Sequence, residues 1–125
     1  MKPTPGLTEA EEKLAAIVWR EANLTSSLLV KLAESELIWN RSSTFTILRK
    51  LCEKGVCKNE NTKITVLRTR EEQTDWQSRR YVEDTFGGSL PRFITSFFGN
   101  RKLTPEQADE LRQLIDEREE RATNG

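Results

Sequence analysis

Apolar residues are spaced for helices up to Gly55, for strands from Val56 to about Arg70, and for helices again from Glu71. This double change of period restricts the chain to helices, a small hairpin and more helices, in that order. Thr8 and Glu11 have the Thr-x-x-Glu spacing that satisfies orphan N–H groups at a helix start. Leu7, Ala10, Leu14, Ile17 and Val18 then share one helical face. Asn23 and Leu24 interrupt the pattern, and Ser26 or Ser27 is expected to cap a shorter helix that buries Leu29, Leu32 and Ala33. Asn40 is expected to cap a third helix, with Thr44, Ile47, Leu48 and Leu51 inward and Gly55 supplying a left-handed end.

Strands are expected over Val56 to Lys58 and Lys63 to Arg70, around the polar turn Asn59-Glu60-Asn61-Thr62, where Asn61 tolerates a positive φ. Trp76, Val82 and Phe86 mark a fourth helix, stopped by Gly87-Gly88. Ser89 caps a fifth, which carries Leu90, Phe93, Ile94, Phe97 and Phe98 and ends at Gly99-Asn100. The last start signal is Thr104, with Pro105 at N1 and Gln107 completing the box. Leu103 and Ala108 fit a hydrophobic staple, and Ala108, Leu111, Leu114 and Ile115 a buried stripe. The stretch Glu119 to Gly125 is expected to fray. Three short helices followed by a hairpin is the layout of a winged helix-turn-helix. The reading is therefore mainly α with a small β-hairpin wing: a winged-helix domain over 1–70 and a helical dimerisation domain over 71–125.

Charge follows the same division. The net charge is zero, yet residues 1–70 hold 12 basic and 8 acidic side chains, and residues 71–125 hold 8 and 12. Residues 41–70 alone hold 8 basic and 2 acidic. A basic block beside an acidic tail suits one face for phosphates and another for something else. The third helix would expose Arg41, Ser42, Phe45, Thr46, Arg49 and Lys50. Arginine bonds a guanine edge bidentately, and threonine or a ring touches a thymine methyl. Lys58 and Lys63, placed at the wing tip, would reach phosphate or the minor groove.

The 125 residues contain no histidine and only two cysteines, Cys52 and Cys57, which leaves no nucleophile–base set, argues against an enzyme and points to neither a metal site nor a cofactor. The thiols read as a small buried side chain and a strand residue. The tryptophans Trp19, Trp39 and Trp76 read as packing residues. No apolar run reaches the roughly 20 residues a membrane helix needs. Met1 to Gly6 lack a signal-peptide pattern, so a cytoplasmic protein without membrane insertion is expected.

The run Ile38-Trp39-Asn40-Arg41-Ser42-Ser43-Thr44-Phe45-Thr46-Ile47-Leu48-Arg49-Lys50-Leu51, with Glu53-Lys54-Gly55, resembles the penicillinase and methicillin-resistance repressor family (BlaI/MecI). The similarity extends to Leu7 through Trp19, Phe86-Gly87-Gly88-Ser89, Leu103-Thr104 and Glu110-Leu111. It implies a repressor that binds a palindromic double-stranded DNA operator as a homodimer. By position it places Arg41, Ser43, Thr46 and Lys50 at or near DNA. In the antibiotic-responsive branch a sensor triggers proteolysis in the C-terminal domain, and the corresponding stretch here is near Ser96 and Phe97, which implies a signal-activated protease as a further partner. The tail has no cysteine, unlike the copper-responsive branch.

The phenylalanine-rich fifth helix (Leu90, Phe93, Ile94, Phe97, Phe98), together with Leu111, Leu114 and Ile115, is expected to form the dimer interface, because so apolar a segment in an acidic appendage needs a partner surface. The alternative is a winged-helix module for protein–protein contact, with Phe45 as the anchor.

Overall fold

The computed structural model describes residues 6–120, so the expected fraying at 121–125 lies outside the described residues. It contains α1 (Glu9–Arg20), α2 (Ser26–Leu37), α3 (Arg41–Glu53), β1 (Cys57–Glu60), β2 (Lys63–Val66), α4 (Arg70–Phe86), α5 (Leu90–Phe98) and α6 (Pro105–Arg118). The molecule is mainly helical with one small antiparallel hairpin: a winged helix followed by a helical segment. It separates into two compact units, one running through Gly88 and one beginning at Ser89. α4 belongs to the first.

In the first unit, α1 starts at the expected box, with Thr8 N–H donating to Glu11 Oε1 (2.9 Å) and Glu11 N–H to Thr8 Oγ1 (3.2 Å). The cap of α2 is Thr25, one residue before the expected serines, and Ser26 is instead buried as the first helical residue. The shift has a tertiary cause. Ser26 N–H donates to the Thr62 carbonyl and Ile64 N–H to the Leu24 carbonyl, tying the start of α2 to the hairpin. The chain leaves α2 through Ile38, a β-branched residue in the left-handed region (φ 59°) and 83% exposed. Asn40 caps α3 as expected, its Oδ1 accepting from Ser43 N–H at 2.8 Å.

α3 ends in a Schellman turn: Val56 N–H donates to the Leu51 carbonyl and Gly55 N–H to that of Cys52. Gly55 sits at φ 82°, where a side chain would be strained. The hairpin is tighter than expected. β1 continues to Glu60, β2 stops at Val66, and only Asn61 and Thr62 form the turn, both with positive φ. That is the pattern of a type I′ turn, whose twist matches the strands. The register pairs Cys57 with Val66 and Glu60 with Lys63. Thr69 caps α4 and forms its capping box with Glu72.

The core joins α1, α2, α3 and the hairpin: Leu14, Ile17, Val18, Leu24, Leu29, Leu48, Leu51, Val56, Cys57 and Ile64 are buried. Leu7, Leu32 and Ile47 pack at its edge. Burial of this kind stabilises by about 1.5–3 kcal/mol for each large side chain removed from water.

In the second unit, Ser89 caps α5 and Thr104 with Gln107 forms the capping box of α6, both as expected. The stripe Ala108, Leu111, Leu114 and Ile115, expected to be buried, is not buried within one chain. Ala108 and Leu111 are half-buried, and Leu114 (44%) and Ile115 (63%) are exposed. Two amphipathic helices have too little facing surface to cover both stripes.

Candidate nucleic-acid interface

The burial of α3 has a clear polarity. Thr44, Leu48 and Leu51 face the core, and the Thr44 hydroxyl donates to the Asn40 carbonyl at 2.9 Å, so the inward polar atom is satisfied. Arg41, Ser42, Ser43, Thr46, Arg49 and Lys50 are exposed. Thr46 Oγ1 donates to the Ser42 carbonyl, which fixes its rotamer and leaves its methyl outward. Phe45 departs from the sequence expectation of an exposed ring. It is half-buried against the core, and the Arg41 guanidinium lies 5.0 Å from the ring centroid. That cation–π contact orients Arg41 along the helix.

The wing stands beside this helix. Lys63 adjoins the turn, and its backbone bridges to Thr25, so the wing is anchored at α2. Lys58 lies two residues further from the turn than expected and pairs with Glu60 at 3.2 Å, an exposed contact that leaves the cation solvated. A groove of about 240 Å³ between α3 and β1 is lined by Phe45, Leu48, Arg49, Cys52 and Asn59.

Two buried polar side chains of the first unit escape the sequence reading. Glu11, expected to serve only as a cap residue, is 2% exposed. Lys54, at the end of α3, donates to Glu11 Oε1 and to the Gly6 carbonyl. Burial by itself would raise the Glu11 carboxyl. The hydrogen bonds from Lys54 and the Thr8 backbone, with the charges of Lys54 and Lys50, outweigh it and hold the group below the usual carboxylate range. The second is Gln73, buried in α4, which accepts from Arg68 at 2.7 Å and donates to Gln77 at 2.8 Å. The only available signal was weak: a Glu eleven residues from the chain start on an otherwise apolar face, and a lysine at a helix end. Trp19 donates from Nε1 to the Arg68 carbonyl with Arg70 over its ring, and Trp39 packs on the core. Trp76 is 36% exposed beneath Arg68.

In the second unit, Phe93, Ile94, Phe97, Phe98, Leu103 and Leu111 line an apolar groove of about 370 Å³. Leu90 (59%) and Phe97 (62%) are the most exposed apolar side chains of α5. Ser96 is exposed on the same helix. Among the described residues no cluster of three metal-ligating side chains occurs, and no helix is long and apolar enough to cross a membrane.

Comparison with known proteins adds two findings. The family described as penicillinase repressor matches residues 7–117. A penicillinase repressor of Bacillus licheniformis is 22% identical over 125 residues, covering 97% of this chain and 98% of that protein.

Proposed function

The chain belongs to the penicillinase repressor family, and on that premise we propose that it is a transcriptional repressor that binds a palindromic DNA operator as a homodimer. α3 enters the major groove, with Arg41, Ser42, Ser43, Thr46, Arg49 and Lys50 at base edges and phosphates. Phe45 stands behind them as the rest for Arg41, and Lys58 and Lys63 on the wing meet the flanking backbone. The observation that carries this reading is the polarity of α3: its apolar side is locked into the core while its donors remain exposed on one face. The second unit supplies the dimer contact through Leu90, Phe93, Ile94, Phe97, Phe98, Leu111, Leu114 and Ile115.

Relief of repression follows from cutting α5 near Ser96 and Phe97 by a protease activated in response to an antibiotic-type signal. α5 has only nine residues and no buried side chain, so local opening to the extended form a protease needs is cheap in free energy. The cut detaches Phe98 and α6 from the first unit. It thereby removes the high effective concentration at which the second half-site is met.

Anisotropy titration of the reduced, full-length protein against fragments of its host genome tests the reading. Affinity should fall steeply with salt as phosphate counterions are released. Arg49→Ala should cost about 1–3 kcal/mol if Arg49 meets a base edge. Binding indifferent to salt would overturn the assignment.

A further inference from the structure

The chain has two cysteines, and the fold brings both to the junction of α3 and the wing. Cys52 lies in the last turn of α3 and Cys57 opens β1, and their sulfurs are 4.0 Å apart. Both are free thiols. Their surroundings differ. Cys57 is fully buried in the core, whereas Cys52 is half-buried and lines the groove shared with Arg49 and Asn59. A small solute can reach Cys52 from that groove, while Cys57 waits behind it.

We propose that Cys52 and Cys57 are a modification site: a dithiol that a peroxide-class oxidant converts to a disulfide between α3 and the wing, loosening the hold on DNA. The effect on DNA rests on the repressor reading above; the thiol chemistry does not. In the first step the Cys52 thiolate attacks a peroxide oxygen. The O–O bond breaks, Cys52 becomes a sulfenic acid, and the departing hydroxide takes a proton to leave as water. In the second step the Cys57 sulfur attacks the Cys52 sulfur. The S–S bond forms, the S–O bond breaks, and the Cys57 proton leaves with the hydroxyl as a second water. Two thiols and one peroxide thus become one disulfide and two waters.

The division of labour follows from the surroundings. The Cys57 thiol is pushed up to about 12, first by burial and then by the neighbouring Cys52, so it is the poorer nucleophile toward peroxide and reacts second, giving up its proton as it attacks the Cys52 sulfur. Closure must shorten 4.0 Å to about 2.05 Å. The intervening Glu53–Val56 is the Schellman turn, already held by its two backbone hydrogen bonds. Closing so short a loop loads that turn, which makes the bond readily reducible, the property of regulatory rather than structural disulfides. Arg49 lies one helical turn before Cys52, and Asn59 lies two residues beyond Cys57. The bond therefore pulls on the two elements whose relative placement sets the fit to a duplex.

The test treats the reduced full-length protein with hydrogen peroxide and follows three readouts: intact mass, a non-reducing peptide map, and anisotropy with bound genomic DNA. The expected result is loss of two hydrogens, a Cys52–Cys57 cross-link within one chain, and affinity weakened at least about tenfold and restored by dithiothreitol. Cys52→Ser should retain its affinity under peroxide, and Cys57→Ala should stop at an oxidised Cys52 without a cross-link. Thiols that stay free in the wild type, or a cross-linked protein with unchanged affinity, would overturn the proposal. If reduced protein binds no DNA, the repressor reading fails, and the peptide map alone decides whether the dithiol closes.

Discussion

The two units of this chain solve the burial problem in opposite ways. The first, through Gly88, fills a core with Leu14, Ala15, Leu29, Ala33, Leu51, Val56 and Cys57, all at 0% exposure. The second, from Ser89, contains the most apolar helix of the protein and yet has no buried residue in either α5 or α6. The first unit is stabilised by its own packing. The second presents apolar surface that its own two helices leave exposed, which under the proposed function is covered by a second copy. On that reading stability and assembly are carried by separate stretches, so substitutions should separate them.

The largest effect is expected from placing a charge in the second unit. Phe97→Asp should turn a dimer into a monomer by analytical ultracentrifugation and weaken operator binding by about 10²–10⁴-fold through lost avidity. The thermal unfolding of the first unit should be unchanged. A variant that stays dimeric would break the comparison, because the exposed α5 face would then not be the contact.

A paired truncation sharpens it next. Leu51→Ala, at 0% exposure, should lower unfolding free energy by about 2–5 kcal/mol in denaturant titration. Ile115→Ala, at 63% exposure, should change the stability of the monomer by no more than about 0.5 kcal/mol. Its effect should appear in the dimer dissociation constant instead.

Glu11→Gln should cost about 1–3 kcal/mol, since it weakens the charge-assisted bond that Lys54 makes at the end of α3. The same pair sets a pH dependence. The Glu11 carboxyl is held below its ordinary value of 4.5 in the folded protein, so its contribution is full above that value and is lost as pH falls through the lower folded value. Acid unfolding curves of the wild type and Glu11→Gln should therefore converge as pH falls below 4.5 and through the lower folded value. Curves that remain parallel would show that the carboxylate is not what Lys54 secures.

The smallest expected change is a gain. Ile38→Asn should raise stability by about 1 kcal/mol, because a β-branched residue is strained at φ 59° and its 83% exposed side chain loses little packing. A melting temperature that falls instead would mean that the Ile38 side chain has a contact role of its own.

Much of this fold is legible residue by residue. The caps Thr8, Asn40, Ser89 and Thr104 do what their spacing predicts, because a cap is a contact over three residues and needs no knowledge of the rest of the chain. The polar face of α3 was legible for the same reason: helical period alone separates Arg41, Thr46 and Arg49 from Thr44, Leu48 and Leu51. The α2 cap was misplaced by one residue because Ser26 answers to Thr62, 36 positions away, and not to its neighbours. The hairpin is tighter than the sequence suggests because a glycine-free turn carries little signal, and Thr62 takes a positive φ while its carbonyl accepts from Ser26 N–H.

Sequence alone determined the order of the elements, where most helices begin, and which face of each is apolar, since these depend on contacts within one or two turns. Tertiary structure decided that Glu11 is buried against Lys54, 43 residues away, that Phe45 supports Arg41 from within the core edge, and that two thiols lie side by side at the root of the wing. It also decided that the stripe of α6 is only partly covered within one chain. A local pattern states that a side chain is apolar or charged; only the packing of distant elements supplies, or withholds, the surface that meets it.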